Sequence, residues 1–247
     1  MNIFKRVLGH IYFVYALLVF FFTMLVALIP TLIALALPEP KRARIIHPSY
    51  RIWMEVFFGL IFIRVKRKGK HYFEQGKNYV VIVNHNSLMD IPISMPWVPG
   101  PNKTLAKIEM AKIPLFGFIY RAGSVLVDRK NTQSRQKSAL EMQQILGLGL
   151  HMTLYPEGTR NKSKEPLQAF YDGAFNTALL AKKDIIPGIL FHTGDILPTK
   201  PNFWAWPHTI RFEFLPPILI SNYDMSQKQE LKDKAFEIMK NYIIENK

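Results

Sequence analysis

The chain has 247 residues and a formal net charge of +14, from 32 Lys plus Arg against 18 Asp plus Glu, and 49% of its residues are hydrophobic. That length admits one α/β domain with an attached membrane segment and leaves little room for a second full domain. So apolar a composition excludes a disordered basic tail, and the absence of cysteine excludes a disulfide framework, a Cys-ligated metal and a cysteine nucleophile.

At a mean hydropathy of +0.05, the surplus positive charge needs a partner that also accepts apolar surface, as an anionic membrane does. From Val7 through Pro38 no Asp, Glu, Lys or Arg occurs. A bilayer span takes roughly 20 residues, so this run either crosses with surplus or enters and turns back near Pro30. Lys5 and Arg6 before it and Ala34-Leu35-Ala36 near its end mimic a secretory leader, but an h-region runs to only about 15 residues. Lys41, Arg42, Arg44 and Arg51 outnumber the two cations on the other side, which predicts an inner-membrane protein with a cytoplasmic C-terminal body. A second apolar stretch, 52–63, is short for a span and is expected at the interface or against the first helix. The basic cluster Arg64, Lys66, Arg67, Lys68 and Lys70 reads either as a solvated edge strand or as a grip on anionic headgroups. Residues 1–63 are accordingly expected to anchor the chain, and 64–247 to form the region in which any site must be sought.

In the body, the β-branched run 79–83 predicts a strand that stops at Asn84-His85-Asn86-Ser87. Strands are also predicted at 124–127, 151–155, 185–191 and 209–220, with helices over 131–148, 170–182 and 226–244. The Pro/Trp-rich stretch 198–207 is expected as a loop, with Trp204 and Trp206 as core plugs or interfacial anchors. Strands alternating with helices predict an α/β fold on a mixed, mostly parallel sheet, with ligands bound beyond the carboxyl ends of the strands.

Two polar clusters fall at such strand ends. His85 and Asp90 are five positions apart, and on one helix their side chains would diverge by about 140°. They meet only if His85 lies in the turn and Asp90 in the first helical turn. The carboxylate would then fix one ring nitrogen and leave the other as a base. Ser87 and Asp90 also fit a capping box, in which Asp90 would bind backbone and nothing more. The second cluster is Tyr155-Pro156-Glu157-Gly158-Thr159-Arg160. Gly158 permits close backbone approach and Arg160 can hold a phosphate with two parallel hydrogen bonds, although a turn with an exposed arginine fits the same residues. No P-loop, G-x-G-x-x-G, G-x-S-x-G or H-E-x-x-H pattern occurs. His192 and Asp195 lie close in sequence, and a turn at a strand end accounts for them.

Taken together, the blocks N-H-x-S-x-x-D at 84–90, Lys107 to Asp128-Arg129 with Glu109, Pro114, Gly117 and Gly123, P-E-G-T-R at 156–160 with Phe170 and Gly173, and Ile185-Ile186-Pro187 resemble the membrane glycerolipid acyltransferase family, the PlsC-like 1-acyl-glycerol-3-phosphate acyltransferases. Asn161 stands where that family commonly has Ser, and Gly188 where it commonly has Val. The resemblance implies transfer of a fatty acyl group from acyl-CoA or acyl carrier protein to the free hydroxyl of lysophosphatidic acid, giving phosphatidic acid. It implies His85 and Asp90 as the catalytic pair. It also implies a phosphate site of Glu157, Gly158, Thr159 and Arg160, with Lys107 and Arg129 in support and Glu157 orienting Arg160 or the acceptor. No metal, cofactor or nucleic-acid partner is expected. A different acceptor on the same fold, and a non-catalytic protein that binds anionic lipid, are the competing readings.

Overall fold

The computed structural model describes residues 3–198, 200 and 203–246. Seven strands form one sheet: β1 (Val65–Lys68), β2 (Val80–Val83), β3 (Asn102–Lys107), β4 (Ser124–Val127), β5 (His151–Leu154), β6 (Ile185–Phe191) and β7 (Ile210–Phe214). Their spatial order is β1-β7-β6-β2-β5-β3-β4, and every pair is parallel except β6 with β7. The expected mixed, mostly parallel sheet is what forms. The basic cluster becomes the edge strand β1, whose residues alternate between half-buried and exposed, as an unpaired edge carrying lysines is expected to do.

Successive strand residues face opposite sides of a sheet, and here they sort into two cores. Val81, Val83, Ile186 and Leu190 join the core under α1 (Ile3–Leu35), α2 (Lys41–Leu60), α3 (Asp90–Trp97) and α4 (Phe116–Gly123). Val80, Ile82, Ile185 and Ile189 join the other, under α5 (Thr132–Gly147), α6 (Gly173–Ala181) and α8 (Lys228–Asn246). A one-turn helix, α7 (Thr193–Ile196), follows β6.

The helix α1 runs unbroken through Pro30, so the chain does not turn back there. It turns at 36–40, and α2 returns antiparallel to α1: the Tyr12 and Tyr15 hydroxyls donate to the carbonyls of Ile61 and Leu60, Trp53 donates to Thr23, and Thr31 bonds Tyr50. The short apolar stretch beginning at Ile52 is therefore the second half of a longer helix. Residues on both sides of position 63 share one core, so the division expected at 63/64 does not separate two packed units. Trp204 is a core plug, buried against α1 where Gly9 leaves room. A Cβ at Gly9 would lie 1.8 Å from the indole.

Strand β3 and helix α4 were not expected, and of α3 only a helical turn opening near Asp90 was foreseen. In β3 a polar sequence is buried by its neighbours: Lys103 is 2% exposed and its ammonium meets Glu39 at 2.6 Å. Both α3 and α4 are eight residues long, and α3 contains Pro92 and Pro96, which mask a helical pattern in the sequence.

Candidate active site

Strands β2, β5, β3 and β4 all run parallel, so residues 84–90, 107, 128–129 and 155–160 emerge at one edge of the sheet. The turn after β2 carries His85, and Asp90 opens α3. The ring Nδ1 lies 2.7 Å from Asp90 Oδ2, and the same oxygen accepts the backbone N–H groups of Asn86 at 2.6 Å and Ser87 at 2.8 Å. Asp90 thus does both things open to it: it caps the turn through backbone donors and orients the imidazole. A carboxylate only accepts, so Nδ1 carries the proton and Nε2 presents its lone pair. Asp90 is fully buried, and the His85 side chain keeps 13% of its surface exposed. The imidazole is stacked on Tyr155, ring centroids 4.3 Å apart, and the Tyr155 hydroxyl is held by Ser94 of α3 at 2.6 Å.

The second cluster grips the first. Glu157 accepts the His85 backbone N–H at 2.7 Å and, through its other oxygen, the Gln168 N–H at 2.8 Å. Asn161 N–H donates to the His85 carbonyl at 2.6 Å. The histidine's backbone is therefore fixed on both sides by a loop 72 residues away in sequence. Burial pushes the Glu157 carboxyl up from its ordinary value, and the two N–H donors pull against that shift.

Each Glu157 oxygen accepts a backbone N–H, so besides the role implied for it at a phosphate site, this carboxylate clamps the backbone of His85 in place. Gly158 adopts φ +70°, and a Cβ there would meet the Tyr171 ring at 2.9 Å. Its carbonyl accepts from the Arg129 guanidinium, which brings Arg129 onto the loop. Arg160 is half-buried, and its guanidinium has no polar partner among the described residues, so it is free to take an anion. Thr159 is exposed and near Gln168. Lys107 sits at the same sheet edge but is paired with Glu109 at 3.0 Å, and an arriving phosphate would have to compete with that carboxylate.

Sequence reasoning missed the cavity beside this pair. It holds about 380 Å³ and lies between α1, α2, α3 and α4, with Leu88 and Met89, the neighbours of Asp90, in its wall. Phe20, Trp53, Met95 and Ile119 carry the lining deeper. The spacing of apolar residues on α2 was the available signal, but nothing in the sequence showed that α1 would close the cavity.

Comparison with known proteins places these features in company. Residues 64–190 match the family model described as Acyltransferase. The 1-acyl-sn-glycerol-3-phosphate acyltransferase of Escherichia coli (strain K12) is 31% identical over 171 residues, which are 68% of this chain and 68% of that protein. The alpha enzyme of the same description from Mus musculus is 32% identical over 158 residues, 63% of this chain and 55% of its own length, so the chain spans about half the length of that curated relative. The crystal structure of the 1-acyl-sn-glycerophosphate (LPA) acyltransferase PlsC from Thermotoga maritima superposes with a TM-score of 0.79, covering 99% of this chain and 97% of that one at 19% identity. That last likeness is one of fold.

Proposed function

We propose that this chain, which belongs to the acyltransferase family, moves a fatty acyl group from a thioester donor to the free hydroxyl of 1-acyl-glycerol 3-phosphate, forming phosphatidic acid. The observation that carries the reading is the buried Asp90 carboxylate on His85 Nδ1 at 2.7 Å, beside an apolar cavity and a loop bearing an unpaired guanidinium. The acceptor is the one for which the related 1-acyl-sn-glycerol-3-phosphate acyltransferases are named.

In the reaction, Nε2 of His85 takes the proton of the acceptor hydroxyl as its oxygen attacks the thioester carbonyl. A C–O bond forms, the C–S bond breaks, and the proton passes from the imidazolium to the departing thiolate. Asp90 stabilises the imidazolium and holds its tautomer throughout. Transfer is direct, with no acyl-enzyme and no metal or organic cofactor in the chemical step. Arg160 takes the acceptor phosphate, with Thr159, the Gly158 backbone and Arg129 beside it. The cavity takes an acyl chain, and either acyl-CoA or acyl carrier protein serves as donor.

The chain works on a membrane, with residues 1–63 as its anchoring region and 64–247 as the catalytic region. Helix α1 is the one helix among the described residues long and apolar enough to cross a bilayer. Its 33 residues span about 50 Å, more than the ~30 Å hydrocarbon layer. Along that length one side packs on α2 and the body, and the other exposes Val7, Leu18, Phe22, Val26 and Ile33. A helix held along one side and apolar on the other fits burial in one leaflet better than a free transverse span. The net charge of +14 supports docking on the anionic cytoplasmic leaflet of the inner membrane.

Thioester turnover by the full chain on vesicles, measured against a panel of lysolipids, tests this. The expected result is preferred use of 1-acyl-glycerol 3-phosphate and a loss of about 10²–10⁴-fold in His85→Ala. Unchanged turnover in that variant would remove the pair from the mechanism, and preference for an acceptor without phosphate would overturn the role of Arg160.

A further inference from the structure

Outside the acyl-transfer site, the described residues that gather metal-ligand chemistry are His192, Asp195 and His208, which each offer a ligand atom within 4.8 Å of the others. The sequence shows only the first two as near neighbours. The fold supplies the third. His192 follows β6 and His208 stands just before β7, and because these strands are antiparallel, with Phe191 opposite Arg211, the chain leaves and re-enters the sheet at adjacent points. The two imidazoles lie 4.5 Å apart, tilted by 33°.

Each ring is already oriented as a ligand would be. The Nδ1–H of His208 donates to the Thr209 carbonyl at 2.9 Å. A carbonyl only accepts, so the lone pair of that ring is on Nε2. His192 Nδ1 and Asp195 Oδ2 lie 2.8 Å apart, close enough to share one ion, which would take the place of the proton between them and leave the N–H of that ring on Nε2. Metal-binding histidines are held as His208 is, the far nitrogen donating to a carboxylate or carbonyl. The cluster is open to solvent, with the Asp195 side chain 62% exposed, so an aqueous ion reaches it without unfolding. Ligand bonds of about 2.0–2.2 Å close the set with shifts of about an ångström, which exposed side chains make by small rotations.

We propose that His192, Asp195 and His208 bind a first-row divalent transition ion of the Zn²⁺ class, with water in the remaining positions. Two imidazole nitrogens and one carboxylate suit such an ion and do not suit Mg²⁺ or Ca²⁺, which take oxygen ligands. Its work is structural. The ion sits at the neck of the 192–209 connection, and the rest of that connection reaches two important places. Ser87, in the catalytic turn, donates its hydroxyl to the Leu197 carbonyl at 2.9 Å. Ala205 N–H donates to the Gly9 carbonyl of α1 at 3.2 Å, and Trp206 N–H to Ile196 at 3.0 Å. Fastening the neck therefore steadies residues 196–197, which meet the catalytic turn, and 205–206, which meet Ile196 and the membrane helix. The proposal does not depend on the acyl acceptor or on acyl transfer.

The test uses the untagged full chain in detergent micelles, with Zn²⁺ alone as probe, and compares wild type with His208→Ala, whose ring is exposed and whose loss leaves the core intact. Binding is followed by calorimetry, and Co²⁺ is followed by its visible absorption. Wild type is expected to bind one Zn²⁺ per chain and to gain roughly 2–5 °C in melting midpoint at saturation, with no gain from Mg²⁺. In His208→Ala the affinity should fall by at least about 10-fold and the thermal gain should vanish, while the metal-free midpoint stays at the wild-type value. Asp195→Asn should weaken binding less. No stoichiometric Zn²⁺ on wild type, or equal affinity in His208→Ala, would overturn the site.

Discussion

The two helical layers on this sheet are built from the same alternating strands and end in opposite surfaces. Under α5, α6 and α8 the core is closed: α8 buries Leu231, Ala235, Met239 and Ile243 and turns lysines, glutamates and asparagines outward. Under α1 to α4 the core is interrupted by a cavity of about 380 Å³, and the outer side of α1 is apolar along its length. An uninterrupted apolar surface of that extent marks contact with lipid or protein. The difference teaches that one layer faces water and the other apolar surroundings, and that Asp90, the proposed catalytic carboxylate, belongs to the second, on α3.

Three changes and one control substitution would break or sharpen that contrast. Largest in effect is Asp90→Asn, which replaces an acceptor with a group that also donates among three N–H donors and should lower turnover by about 10²–10⁴-fold. Steady-state kinetics on vesicles reads it, and wild-type rates would show that the lipid-side layer does not hold the chemistry. Next is Phe22→Lys on the outer side of α1. Loss of one buried large apolar side chain is worth about 1.5–3 kcal/mol, so vesicle affinity should fall by roughly 10–150-fold with the melting midpoint in detergent unmoved. Glu237→Lys on α8 should leave affinity unchanged or raise it slightly. Equal losses from both helices in a vesicle sedimentation assay would erase the distinction between the layers. Smallest is Gly123→Val. A Cβ there would already touch Met95 at 3.3 Å and Tyr50 at 3.5 Å, so the larger side chain shortens the cavity. The ratio of kcat/KM for short over long acyl donors should rise by several-fold, and an unchanged ratio would mean that the chain lies elsewhere.

What the sequence revealed of this site depended on how local the signal was. Strands β2 and β5 were plain because each is a β-branched or apolar run ending in a polar cluster, and the His85–Asp90 pairing was open to geometric argument because five residues contain it. Burial of Lys103 against Glu39 was not, since a polar strand such as β3 is defined by what pairs with it on either side. The grip of Glu157 on the His85 backbone was not legible for a related reason. Its two backbone partners, His85 and Gln168, come from different segments, and a carboxylate in a phosphate-binding motif invites a reading toward substrate. Helix α1 was legible in composition, but its packing along α2 was not, because apolar residues on every side give no indication of which side meets protein.

Helix α1 is thus not a detachable anchor. Phe20 stacks edge-on against Phe57 and Phe116, Tyr12 and Phe20 wall the cavity, and Gly9 seats Trp204. Truncating the apolar helix to obtain a water-soluble enzyme would remove one wall of the chamber and undo the seat of Trp204 and Ala205, and the shortened protein should aggregate. Solubilisation by redesign has to keep this helix and repaint its outward stripe.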